Sequence, residues 1–414
     1  MEIFRVTGGV KLSGEVTVEG GKNAVLPMLA ASILTDEKVS ITGFPNLSDT
    51  RNMLKILTTL GCDCTAGEGM ATVDAANAFR WEMPDALSKA LRSSIFMMGP
   101  ILGRFRRAVV TYPGGCEIGL RPIDLHLQGL RALGVTIREA HGMIYCDAGN
   151  LRAGQVHLDF PSVGATENVM MAAATAFGTT VIHNPAREPE ILDLQKFLCA
   201  MGAKISGAGS SQIVIDGVKK LHGVRYRAMS DRIVVGTLLI AAAMTAGEIT
   251  VHGAKADDLE AVLVKLTGAG CQIETGNGRI KLKAPKRLNA IEVSTQPFPG
   301  YPTDMQAQIT ALACVAEGTS VIVENVFESR FAHASQLRRM GADILVSDRT
   351  CIVRGGHLTG ANVTARDLRG GAALVLAALA AQGVTEVQGA ELIDRGYDRF
   401  ECMIASLNGK IERL

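Results

Sequence analysis

The sequence predicts an α/β protein of two domains, each an inside-out α/β barrel with apolar helices inside and small sheets outside. Three observations predict it. Helix-like segments end alike six times, at TTLGCDC, RALGVTI, CAMGAKI, TGAGCQI, RRMGADI and SLNGKIE, with marker glycines Gly61, Gly134, Gly202, Gly270, Gly341 and Gly409. The marker recurs roughly every 70 residues, as an internal repeat does. Each unit also opens on an Ala-rich segment that is apolar nearly all round, which suits a helix buried within a domain. Finally, a chain of 414 residues has room for two or three domains of roughly 100–200 residues each.

Within a unit the elements follow in a fixed order. The first helices are KNAVLPMLAASIL, ALRSSIFMMGPIL, ATENVMMAAATAF, DRIVVGTLLIAAAM, TDMQAQITALACVA and LRGGAALVLAALAA. A β-branched run follows, such as KVSITG, TTVIHN, EITVHG, TSVIVEN or VTEVQG, and reads as a strand. Next comes a more polar, amphipathic helix, closed by the marker glycine as a C-cap. Alternating apolar residues, a Gly-containing turn and a second alternating run then read as two strands. The unit is helix, strand, helix, strand, strand, with three repeats per domain. A solenoid is the competing architecture, but a period near roughly 70 with three strands is long for one.

The chain ends set the expected domain boundaries. Each internal first helix is preceded by a strand–turn–strand segment, and the first unit takes its segment from residues 1–21. The last unit stops at KIERL and lacks one. If residues 1–21 close the sheet begun by the C-terminus, one domain is 22–229 and the other is 1–21 with 230–414.

Composition excludes several function classes. A formal net charge of +1 provides no global field for nucleic acid or an anionic membrane. The start MEIFRVTGGV has no signal-peptide pattern, and no apolar run reaches the length of a membrane span. The nine cysteines are scattered, mostly in apolar settings, as in a reduced cytosolic protein. Cys62 and Cys64 form the one close pair, with no partner set for zinc, so no metal is expected.

Polar residues cluster at the expected helix starts. Lys22 and Asn23, Arg92, Ser162 with Gly164, Asp231, Asp304 and Arg369 open first helices; Arg121, Arg330 and Arg395 open second ones. Pro122 fits the first position of a helix running through Ile123, Leu127 and Leu130. Asp231 and Ser162 also read as plain N-caps. The arginines are harder to explain structurally, because a cation at a helix start opposes the dipole. If the buried helices of both domains direct their N-termini into one interdomain cleft, that cleft is a preformed site for a phosphate or carboxylate ligand. The stretch YPGGCEIGLRPIDLH adds a thiol, Cys116, on a Gly-rich loop five residues before Arg121.

The segments GGKNAVLP, PGGCEIGLRPIDLH, FPSVGATEN, YPTDMQAQ, VFESRF, DLRGGAALVLA and IDRGYDRFE resemble those of the UDP-N-acetylglucosamine 1-carboxyvinyltransferase family of enolpyruvyl transferases, from the first residues to the last. The resemblance implies two inside-out barrels of three repeats with an interdomain active site. It also implies transfer of the enolpyruvyl group of phosphoenolpyruvate to the 3-hydroxyl of UDP-N-acetylglucosamine, releasing phosphate, with no cofactor. By motif, Cys116 resembles the loop acid, which fosfomycin attacks in the family, and Asp304 resembles the base for the sugar hydroxyl. Lys22, Arg121 and Arg395 would hold the phosphate, and Arg369 with Arg395 the carboxylate. Asn23, Arg92, Pro122, Ile123, Asp124, Leu125, Ser162, Val163, Gly164 and Val326 fall where the family binds the nucleotide sugar. Asp231, Arg330 and Asp367 look like supporting residues.

Four positions depart from the family pattern. Val234 stands where an acid is expected, Glu117 adds a negative charge beside the cysteine, and Gly370 and Gly371 loosen the helix start at Arg369. The alternatives are a 5-enolpyruvylshikimate-3-phosphate synthase-like enzyme, which lacks the cysteine loop, and a silent nucleotide-sugar-binding paralogue.

Overall fold

The structure, a computed structural model, describes residues 2–112 and 123–414, with the backbone alone at Ala90 and Arg92. The chain forms two compact units, one of residues 2–19 and 230–414 and the other of residues 20–112 and 123–229. Each has its own apolar core.

The cores are built on helices that the sequence makes apolar on every face. In the unit ending at Met229 these are Lys22–Ala31, Met98–Phe105 and Val163–Ala173; in the other they are Arg232–Met244, Gln306–Ala313 and Leu368–Ala380. Every residue of Arg232–Met244 and Gln306–Ala313 is buried. The amphipathic helices Ser48–Thr59, Asp124–Ala132, Pro189–Ala200 and Glu260–Gly268 bury one face and expose the other.

The sheets are small, open and share one plan. In the first unit, Val39–Thr42 pairs in parallel with Arg225–Arg227 and antiparallel with Met70–Asp74, which forms a hairpin with Asp63–Gly67. Thr179–His183 sits likewise between Gln155–His157 and the hairpin strand Gln212–Asp216. In the sheet of Arg107–Thr111 a single parallel bridge, Glu82 to Val109, takes the place of the fourth strand. The other unit repeats the plan around Glu248–His252 and Thr319–Val323. In its last sheet, Ile3–Thr7 lies between Val384–Gln388 and Lys410–Arg413, supplying the strand that the C-terminal segment lacks. A two-stranded pair, Leu288–Asn289 with Ala316–Glu317, completes the set. Among the described residues no sheet closes on itself.

Several local expectations need correction. Gly61, Gly134, Gly202, Gly270 and Gly341 all have positive φ, but at the sixth site Asn408 takes the left-handed position and Gly409 does not. Asparagine tolerates that conformation, so the turn forms one residue earlier. The first helix of the second repeat is not one α-helix. It runs as Asp85–Ala90, a 3-10 segment Arg92–Met97, then Met98–Phe105. Pro100, which has no N–H, falls in the first turn of the last piece, where none is needed. The described helix after position 122 is Asp124–Ala132, with Ile123 at its N-cap. Arg330 and Arg395 stand in turns ahead of Ala334–Arg339 and Phe400–Ser406 rather than at the helix starts. Val234 is a core residue, 4% exposed in the first turn of Arg232–Met244, where a carboxylate would be buried.

Candidate active site

Asp304 lies in the 3-10 turn Thr303–Met305, which leads into the buried helix Gln306–Ala313. Two arginines hold its carboxylate. Arg330 Nη2 donates to Oδ1 at 2.7 Å and Arg369 Nη2 donates to Oδ2 at 3.1 Å. The arginine side chains are 7% and 3% exposed, whereas that of Asp304 is 30% exposed. The acid is therefore the accessible part of a buried, net cationic cluster.

Arg369 is placed by its own helix. Asp367 caps Leu368–Ala380, its Oδ1 accepting from the N–H of Arg369 and of Gly370, each at 2.9 Å. The guanidinium carbon lies 5.3 Å from the ring centre of Tyr397. The Tyr397 hydroxyl is fixed by Gln308 Nε2 at 3.1 Å and Thr237 Oγ1 at 3.0 Å. The Thr237 proton goes to the Ile233 carbonyl, so the tyrosine donates to Thr237. Burial disfavours the charged form of Arg369, but Tyr397, Asp304 and Asp231 outweigh it, and its pKa stands above the ordinary arginine value. Its Nε and Nη1 have no hydrogen-bond partner among the described residues. Buried donors left unmade are costly. Asp231 is the N-cap of Arg232–Met244, accepting from Ile233 N at 2.9 Å and Val234 N at 3.0 Å. The capping reading of Asp231 is realised, and its charge also acts on Arg369.

Glu324, which the sequence reading did not single out, organises the surroundings. It is 1% exposed. Its Oε1 accepts from Thr295 Oγ1 at 2.8 Å, Val326 N at 2.8 Å and Phe327 N at 3.1 Å. Its Oε2 accepts from Thr303 Oγ1 at 2.9 Å, and Thr303 in turn accepts from Arg330 Nη1 at 2.7 Å. Its sequence signal is a lone carboxylate closing the β-branched run TSVIVEN. His333, also missed, is buried; burial pushes its pKa down to about 4, Arg330 adds to the effect and Asp367 opposes it. Arg395 is half-buried just after Ala390–Ile393. The neighbouring Asp394 is gripped by Arg413, with Nη2 to Oδ1 at 2.7 Å and Nη1 to Oδ2 at 3.0 Å.

In the unit of residues 20–229 a second set of candidates gathers at helix starts. Lys22 begins Lys22–Ala31 and is 8% exposed, its Nζ 3.3 Å from Asp49 Oδ2 in the first turn of Ser48–Thr59. Gly20 leads into it because a Cβ there would stand 1.9 Å from the Gly43 carbonyl oxygen. Asn23 is half-buried next to Lys22. Ser162 caps Val163–Ala173, its Oγ accepting from Ala165 N at 3.3 Å, so Val163 and Gly164 form the first turn. Ile123 is buried, Asp124 exposed and Leu125 half-buried at the start of Asp124–Ala132. Arg92 opens its 3-10 segment. Cys116, Glu117, Arg121 and Pro122 lie outside the described residues.

The sequence reading quoted FPSVGATEN but passed over its last two polar residues. Asn168 Nδ2 donates to the Ile95 carbonyl at 2.9 Å and contacts His126 Nδ1 at 2.7 Å, while its Oδ1 accepts from Gly99 N at 2.7 Å. The amide orientation is thereby fixed, Nδ1 of His126 is an acceptor, and the imidazole proton sits on Nε2. That edge of the ring faces Gly164, where a Cβ would come within 2.9 Å of His126 Cε1. Glu167 is fully buried, neither of its oxygens has a hydrogen-bond partner among the described residues, and burial, then Glu190 and Glu188, raises its pKa well above the carboxylate range. Three polar residues in a row, TEN, inside an otherwise apolar helix were the available signal.

Five of the other cysteines are poor nucleophiles. Burial pushes the thiols of Cys62, Cys146, Cys314 and Cys351 up to about 12 and that of Cys271 up to about 11. A thiol reacts as its thiolate, so these stay inert near neutrality. Among the described residues no group of His, Cys, Asp and Glu could hold a metal ion. Among them, too, no helix is long and apolar enough to cross a membrane.

Comparison with known proteins extends over the whole chain. The family model for EPSP synthase (3-phosphoshikimate 1-carboxyvinyltransferase) matches residues 6–404. The chain is 50% identical over 413 residues to UDP-N-acetylglucosamine 1-carboxyvinyltransferase 2 of Caldanaerobacter subterraneus subsp. tengcongensis, covering 99% of each chain. It is 45% identical over 415 residues to UDP-N-acetylglucosamine 1-carboxyvinyltransferase 1 of Carboxydothermus hydrogenoformans, covering 100% of this chain and 99% of that one. Among solved structures, the enolpyruvyl transferase NikO from Streptomyces tendae superposes with a TM-score of 0.90 at 26% identity, covering 100% of this chain and 98% of that one. EPSP synthase from Acinetobacter baumannii shares the fold, with a TM-score of 0.78 at 20% identity and complete coverage of both chains. A match from residue 6 to residue 404, with relatives near half identity along their full length, makes the chain a member of the EPSP synthase (3-phosphoshikimate 1-carboxyvinyltransferase) family.

Proposed function

We infer that this protein is a cytosolic enzyme that transfers the enolpyruvyl group of phosphoenolpyruvate to the 3-hydroxyl of UDP-N-acetylglucosamine, the first step of peptidoglycan precursor synthesis. The observation that carries the reading is the Asp304 cluster, an accessible carboxylate on two buried guanidiniums, one of which keeps unengaged donors. In addition, the sugar oxygen bonds to C2 of phosphoenolpyruvate, Asp304 takes the hydroxyl proton, and Cys116 delivers a proton to C3. In elimination, C3 gives up a proton, the C2–O bond to phosphate breaks, and the C2–C3 double bond re-forms to give the enol ether. Arg369 and Arg395 hold the carboxylate; Lys22, Arg121 and Arg395 hold the phosphate as charge builds on it. Asn23, Arg92, Pro122–Leu125, Ser162–Gly164 and Val326 bind the nucleotide sugar. Each unit is then an inside-out barrel of three repeats. Asp231, Arg330 and Asp367 support the site.

Choice of the sugar nucleotide over shikimate 3-phosphate is favoured by the names of the relatives at 45–50% identity and by a cysteine at position 116. Phosphate release with phosphoenolpyruvate and each alcohol tests it. UDP-N-acetylglucosamine should support turnover and yield the enolpyruvyl ether by mass spectrometry. Turnover with shikimate 3-phosphate alone would overturn the reading. Cys116→Ala should abolish both turnover and covalent labelling by fosfomycin.

A further inference from the structure

We propose that Glu324 and Thr303 form a positioning relay for Asp304, reaching it through Arg330. The proposal rests on the enolpyruvyl-transfer reading and adds two residues that touch no substrate. The chain of contacts is continuous and directional. Glu324 Oε2 accepts the Thr303 hydroxyl proton at 2.9 Å, Thr303 Oγ1 accepts from Arg330 Nη1 at 2.7 Å, and Arg330 Nη2 donates to Asp304 Oδ1 at 2.7 Å. Each link fixes the next. With its proton committed to a carboxylate, Thr303 can only accept from the guanidinium. A planar guanidinium with one terminal nitrogen so engaged has its second terminal nitrogen aimed along a set direction. That direction is the Asp304 edge.

Position in the chain strengthens the case. Thr303 is the residue before Asp304, so the hydroxyl that steers Arg330 is carried by the same 3-10 turn as the acid. Glu324 stands at the end of Thr319–Val323 and is tied to that sheet by Thr295, whose Oγ1 donates to it at 2.8 Å. Its remaining bonds, from Val326 N and Phe327 N, set the turn that carries Val326, a residue of the proposed sugar-nucleotide site. A buried glutamate with four bonds thus ties the acid's partner and the Val326 turn to one sheet edge. A base displaced by about 1 Å from its working geometry costs about 100-fold in rate, which is the scale the relay controls.

The test uses isosteric changes and a double-mutant cycle in the intact enzyme. Thr303→Val keeps shape and removes the hydroxyl, and Thr303→Ser keeps the hydroxyl. Glu324→Gln keeps an acceptor for Val326 and Phe327 but places a donor towards Thr303. Thr303→Val and Glu324→Gln should each lower kcat by about 10- to 100-fold with the KM for the nucleotide sugar within about twofold. The double variant should lose no more than the worse single one, since the residues act in series. Thr303→Ser should restore kcat to within about threefold of the unmodified enzyme. Thr303→Val turning over at the unmodified rate would overturn the relay, as would losses that multiply in the double variant. Thr303 is only half-buried, so its pair of variants carries the test even if Glu324→Gln does not fold. A failure of the unmodified enzyme to release phosphate with UDP-N-acetylglucosamine would instead refute the functional reading.

Discussion

Two buried glutamates show how differently the two units treat the same side chain. Glu324 is 1% exposed and accepts four hydrogen bonds, from two hydroxyls and two backbone N–H groups. Glu167 is completely buried, and its oxygens have no partner among the described residues. Burial alone therefore says little about what a carboxyl group does. A ring of donors makes Glu324 a fixed acceptor that can orient Thr303 and, through it, Arg330. Burial without donors, with Glu190 and Glu188 adding negative charge nearby, raises the pKa of Glu167 well above its ordinary value. One group is wired to the proposed base; the other sits without donors inside an otherwise apolar helix.

The comparison is sharpened first at the cationic partner of the wired acid. Arg369→Lys removes the planar fork that reaches Asp304, and Nε and Nη1 with it, leaving a single ammonium in their place. It should raise the KM for phosphoenolpyruvate by about 10- to 100-fold, and steady-state kinetics would show it. An unchanged KM would mean that a point charge suffices there.

The next effect is on stability at acid pH, beside the same cluster. The pKa of His333 falls from 6.5 to about 4 in the folded protein. The folded state thus resists a proton that the unfolded chain accepts. The contribution is fully present above 6.5 and is lost as pH falls towards 4, a span worth about 3 kcal/mol. His333→Gln should flatten the decline of Tm between those values. An unchanged slope would remove His333 from the account.

Glu167 provides the opposite sign. Its folded pKa lies above the ordinary 4.5, so the folded state keeps a proton that the unfolded chain releases. Stability from this group is fully present below 4.5 and declines as pH rises towards the folded value. Glu167→Gln should remove that decline and raise Tm at pH 7 by about 2 °C or more, with little change near pH 4. If the variant melts lower at pH 7 than the unmodified protein, Glu167 is ionised and paired after all.

Much of the fold was legible because its signals are local. Glycines at 61, 134, 202, 270 and 341 end helices in the left-handed conformation for a reason visible in one residue, the lack of a Cβ. Ser162, Asp231 and Asp367 cap helices through atoms two or three residues away. The sixth site misled because asparagine can play the glycine's part, and the second repeat misled because its first helix is broken into three pieces. The candidate site was legible as a set of residue types rather than as geometry. Asp304, Arg330 and Arg369 stood out singly, yet their meeting depends on contacts across 26 and 65 residues, which no local pattern encodes. Glu324, His333, His126, Asn168 and Glu167 were passed over for the same reason. Each looks like an ordinary strand-end, loop or helix residue until its partners from distant segments are in place.

One paired measurement tests most directly whether Asp304 accepts the alcohol proton. Asp304→Asn keeps the shape and removes the basic oxygen. Single-turnover phosphate release with saturating phosphoenolpyruvate and UDP-N-acetylglucosamine should fall by about 100-fold or more, as loss of a positioned general base requires. The affinity for the nucleotide sugar, measured by calorimetry on the same preparation, should change by less than about threefold. Phosphate release at the unmodified rate would contradict the assignment, and an equal loss of rate and affinity would reduce Asp304 to a binding residue.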